Sequence, residues 1–161
     1  PQSALLQGFA ALLGGVHLFR WCHWHPEQTL QAPILAVLYS GYLWLIFGFV
    51  FFALPLYVPL NPNLGLHAWT LGTMSIMIYG MVTRVSLGHT GRTLHASIPM
   101  VIGYGLMNLS AVSRVILPLF WPGFYTQWIL FSGIFWGLAF VLLLKEITTV
   151  LLSARPDGKP G

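Results

Sequence analysis

Long apolar runs separated by short polar breaks dominate the chain. They fall at about Ala4 to Phe19, Pro33 to Val58, Leu64 to Leu87, Ser97 to Leu117 and Phe124 to Leu152, each bounded by Pro, Gly or a charge. A helix needs about 20 apolar residues to cross a bilayer, whereas a barrel shows short alternating segments. The pattern therefore predicts an all-α, polytopic transmembrane bundle of five helices over residues 1–153. A polar tail, 154–161, follows and reads as disordered from Arg155 onward. The first span is short, and the last is long enough to put Lys145 and Glu146 at headgroup level.

Composition removes the alternatives. Of 161 residues, 57% are hydrophobic, seven are Lys or Arg and three are Asp or Glu, and the mean hydropathy is +0.77. A water-soluble domain is excluded. Basic residues sort to alternate ends: Arg20 after helix 1, Arg84 and Arg92 between helices 3 and 4, and Lys145, Arg155 and Lys159 around the end of helix 5. The loops Pro59 to Asn63 and Pro118 to Gly123 carry no charge. By the positive-inside rule the N-terminus is expected outside and the C-terminus inside. The formal charge of +4 is thus a topology signal, and nucleic acid is not an expected partner. Trp21, Trp24, Tyr57, Trp121 and Tyr125 read as interfacial belts. The lone Cys22 excludes an intrachain disulfide or a cysteine metal knuckle. With Pro1 first and no charged n-region, the opening segment is not expected to be a signal peptide, and the chain reads as part of something longer or as a processed subunit.

Polar residues inside the spans are where chemistry is expected. His67 heads helix 3, and Thr70, Met74, Met77 and Met81 follow on one helical stripe, with Arg84 near the inner end. A neutral imidazole suits haem iron or copper and thioethers suit Cu(I). The plainer reading is methionines filling a helix interface and His67 making one interhelical hydrogen bond. Arg114, four residues before Pro118, falls at the depth of His67; its guanidinium either meets an anion such as a haem propionate or snorkels to the headgroups. On the inner side stand His17, Arg20, His23 and His25, and the run Gly88-His89-Thr90-Gly91-Arg92 with His95 six residues after His89. Two glycines suit an ordered turn that aims His89 and Arg92, and this loop is expected to fold against the inner end of helix 1 around an anion or metal. A topology anchor is the simpler alternative.

The combination of His67-Ala-Trp-Thr-Leu-Gly, Met81-Val-Thr-Arg84, Leu87-Gly-His-Thr-Gly-Arg92 and Ser113-Arg114, with His17-Leu-Phe-Arg20-Trp upstream, resembles the NnrS family of bacterial membrane proteins. The likeness covers nearly the whole chain, which would correspond to the C-terminal five-helix portion of a longer member. It implies association with haem and copper and with the response to nitric oxide and nitrosative stress. His67, Arg84, His89, Arg92 and Arg114 become the implied cofactor residues, and His67, His89, His17 and His95 the implied metal ligands. The cofactors would be haem b, with copper as a second candidate. Partners would be the bilayer, further transmembrane helices from a partner chain or a missing N-terminal half, and a small gas such as NO.

Two functions follow from this. The first is a haem-binding, or haem-copper, membrane protein that binds or detoxifies NO, whether or not as an enzyme. No carboxylate stands within a span before Glu146, so any proton path would use Thr, Ser, Tyr, His and water. The second is a non-catalytic subunit stabilising a larger redox complex, suggested by close-approach pairs such as Gly133 with Gly137.

Overall fold

A computed structural model describes residues 4–54, 61 and 63–158. Pro1, Tyr57, Lys159 and most of the loop from Pro59 to Asn63 lie outside the described residues. Five long helices follow one another: α1 (Ala4–Cys22), α2 (Pro33–Ala53), α3 (63–89), α4 (Ile98–Phe120) and α5 (Tyr125–Leu152). No strand occurs among the described residues. Four of the helices, α1, α2, α4 and α5 with its leading turn, are long and apolar enough to cross a membrane. The helix α3 is equally long, but its Thr, Ser, Gly and His residues dilute its hydropathy.

Neighbours run antiparallel, as short connections require. Along α2 and α3 the contacts step in opposite directions, from Gly80 against Val37 and Leu38, through Gly41 against Met77, to Gly65 against Phe52. Glycine is needed where the helices come this close: a Cβ on Gly72 would lie 2.6 Å from Trp44 and one on Gly103 would lie 2.7 Å from the Tyr79 ring. The core, with Ile76, Tyr79, Met100, Met107, Ala111 and Val115, sits among α2, α3, α4 and α5. Because lipid offers no partners, polar side chains in the spans find each other. Ser110 and Ser132 each donate to the other's carbonyl, at 2.8 and 2.9 Å. The Tyr79 hydroxyl donates to Ala139 O at 3.0 Å, and Asn108 accepts from Trp44 Nε1 and donates to Ser40, both at 3.2 Å.

Two helices depart from α geometry. Residues Ala68–Met74 in α3 and Val112–Ile116 in α4 form π turns, with bonds five residues long such as Ser75 N–H to Thr70 O and Leu117 N–H to Val112 O. Pro118 explains the second: it has no N–H to offer the carbonyl of Arg114, so the ladder is loosened there. In the first, the Ser75 hydroxyl also donates to Thr70 O at 3.0 Å, satisfying the widened turn. Each π segment adjoins or contains one of the polar residues singled out above, His67 or Arg114.

Candidate functional site

At the end of the bundle that the charge pattern predicts to face outward, α3 and α4 bring His67 and Arg114 together, both half-buried. Arg114 Nη2 lies 3.3 Å from His67 Nε2. A guanidinium has only donors, so Nε2 accepts and the imidazole is the neutral tautomer carrying its proton on Nδ1. Arg114 thus neither snorkels away nor waits unpaired. The π turns set this meeting, since an extra residue per turn rotates the side chains before and after it relative to an unbroken helix. The methionines of the expected stripe do not share one environment: Met74 and Met81 are 56% and 45% exposed on the outside of the bundle, while Met77 packs on Gly41.

At the inner end the sequence-selected residues separate into two groups. The turn after α3 is a Schellman cap, with Gly91 at φ +69°, Gly91 N–H on Gly88 O and Arg92 N–H on Leu87 O. Gly91 is therefore fixed by backbone geometry, whereas Gly88 is still helical. The loop is ordered as expected, but its hydrogen bonds run to the end of α5, correcting the expectation that it folds against α1. Arg92 Nη2 donates to Ser153 Oγ at 3.2 Å and Ala154 O at 3.3 Å; Arg155 donates to His89 O at 2.9 Å and grips Asp157 through two bonds of 2.9 and 2.7 Å. Guanidinium groups complement the negative end of α5. The described part of the tail is accordingly tied down, and the Asp157 pairing holds the Arg155 pKa above its ordinary value. Asp157 brings a carboxylate against Gly91 of this loop from a tail whose composition reads as disordered.

Arg84 and His89 form the other inner group, lining an open cavity of about 330 Å³ with Val85, Gly88 and Leu94. His95 and His89 are exposed and share no hydrogen bond or ring contact. His17 Nδ1 lies 2.5 Å from the Tyr42 hydroxyl, and its ring stacks on Phe49; it is a fastener between α1 and α2. His23 and His25 likewise find local partners, Phe19 O and Glu27. Among the described residues no three His, Cys, Asp or Glu side chains gather as a metal site. Copper, which takes several nitrogen or sulfur ligands, would need ligands from elsewhere. A haem needs less: one neutral imidazole for iron and one guanidinium for a propionate. His67 and Arg114 could supply that donor set. Arg84 lies 17 residues beyond His67, about 25 Å of helix rise, so one cofactor centred on His67 does not reach the inner group.

A family model described as NnrS protein matches residues 2–155. No curated protein and no solved structure matches the chain.

Proposed function

The chain belongs to the NnrS family, whose membership suggests a role in the nitric oxide response, and from that premise we propose that it is a haem-holding, multi-pass protein of the bacterial cytoplasmic membrane that binds NO. The observation that carries the reading is the His67–Arg114 contact between two π turns, since π turns within α-helices often mark functional sites. His67 already presents a deprotonated Nε2, the atom an iron would take. With His67 Nε2 on iron, Arg114 would be left to hold a carboxylate of the same group. The haem would supply a ferrous centre with affinity for NO, a small apolar gas that enters from the bilayer. No Asp or Glu stands in the apolar helices before Glu146, so an anion on that group would fall to Arg114.

The test is a reduced-minus-oxidised visible spectrum of the purified full chain in detergent, for the native protein, His67→Ala and Arg114→Ala. We expect a b-type α band in the native protein, its loss in His67→Ala, and a shifted or weakened band in Arg114→Ala. A native protein without the band overturns the haem reading in favour of a scaffold subunit. A normal band in His67→Ala removes His67 from the ligands.

A further inference from the structure

We propose that the cavity at the inner end of α3, lined by Arg84, Val85, Gly88, His89 and Leu94, is a binding site for the phosphodiester headgroup of an anionic glycerophospholipid from the inner leaflet.

Charge comes first. Arg84 is half-buried, yet makes no hydrogen bond or ion pair with any described residue. Its neighbours Arg92 and Arg155 differ, being bound to the end of α5 and to Asp157. A guanidinium at a membrane surface without a protein anion takes one from its surroundings, and a phosphate matches its planar fork. His89 adds a ring on the same cavity wall, and its carbonyl is occupied by Arg155, which holds the end of α3 in place.

Depth and shape select a lipid over a free anion. The 17 residues between His67 and Arg84 span about 25 Å, close to the hydrocarbon thickness of about 30 Å, so Arg84 stands where headgroups begin. The cavity is open, and its remaining walls are apolar: Val85 and Leu94 are exposed there. Met81 and Val82, one turn deeper, are also exposed and offer an acyl chain a continuous surface. Basic pockets on the cytoplasmic side of transmembrane helices commonly hold anionic lipids by this combination. The site is independent of any haem at His67.

The experiment is native mass spectrometry of the full chain released from detergent micelles containing dioleoyl phosphatidylglycerol, dioleoyl phosphatidylcholine, or no lipid with inorganic phosphate at millimolar concentration. Phosphatidylglycerol should remain as a discrete adduct, phosphatidylcholine should not, and Arg84→Gln should cut phosphatidylglycerol retention at least fivefold while Arg84→Lys keeps most of it. Equal retention of the two lipids by the native chain overturns the proposal, as does unchanged retention in Arg84→Gln. A phosphate adduct as abundant as the lipid adduct also overturns it, assigning the cavity to a free anion. Because the lipid comparison is made on the native chain, the proposal is decided even if Arg84→Gln does not fold.

Discussion

The two ends of α3 handle positive charge in opposite ways. At the outer end Arg114 is carried inside a helix, and its partner is another side chain, His67, on the facing helix. At the inner end Arg92 and Arg155 sit beyond helix ends and are satisfied by backbone carbonyls, a hydroxyl and a carboxylate. A cation within a helix has no chain end to fold back and supply carbonyls, so meeting a partner there takes two π distortions. The inner cations needed only an ordinary Schellman turn and a tail. The outer contact rests on a single lone pair of His67 Nε2, which is the atom the proposed haem would use. At the inner end Arg84 makes no hydrogen bond with any described residue, and Arg92 keeps a buried Nη1 without a partner among them.

Breaking what joins the two ends should have the largest effect. Tyr79 lies against Gly103 and reaches Ala139 O, tying α3, α4 and α5 together. Gly103→Leu forces that ring out and abolishes the hydrogen bond, and should cost about 3 kcal/mol or prevent folding, since overpacking typically costs 1–3 kcal/mol. Unfolding by SDS titration measures it. A native-like midpoint would show that the ends are positioned independently.

Next comes the outer pair itself. Removing His67 alone strands a half-buried guanidinium; a fully buried orphan costs about 3–5 kcal/mol, and we expect about 1–2 kcal/mol here because Arg114 is partly exposed. His67→Ala with Arg114→Leu should recover most of that loss, giving a coupling visible in a double-mutant cycle. Additive losses would mean that the contact does not organise the outer end. At the inner end the corresponding change is smaller: Asp157→Ala removes an ion pair between partly exposed side chains, a kind of contact that solvent screens and that contributes little to stability. It should speed amide hydrogen exchange at Gly91 and Arg92 with little change in melting, and leave exchange around His67 untouched.

Much of this was legible in the sequence because membrane physics writes fold into hydropathy. The five apolar runs match the five helices to within a few residues at the described ends, and the pattern puts His67 and Arg114 at equal depth without showing that each is the other's partner. The partner of each cation was less legible. An apolar pattern says where a helix ends, not which other end it meets, so it does not show that the loop after α3 binds the end of α5 and not α1. Pro118 was the one visible sign of a π turn, four residues after Arg114, and nothing comparable marks residues 68–74. The serine pair Ser110 and Ser132 was detectable as mid-span polarity on each helix, but not as a pair.

The smallest effect should come from the methionines, and it sharpens the contrast between the ends by asking whether anything chemical runs between them. A stripe of thioethers from His67 toward Arg84 would be a soft-metal route if Met74, Met77 and Met81 shared a face. In the fold they do not: Met74 and Met81 are directed out of the bundle, where a thioether and an isobutyl group meet the same surroundings, while Met77 is enclosed by α2. Met74→Leu and Met81→Leu should therefore shift stability by less than about 0.5 kcal/mol, below the ceiling of about 1.5 kcal/mol for volume-conserving swaps. Any haem band of the native protein should also be unchanged in the double variant. A lowered copper content in cells grown with copper, measured against the native chain by elemental analysis, would instead mean that the outward methionines serve a metal along the lipid-facing surface, linking two ends that the helix packing keeps apart.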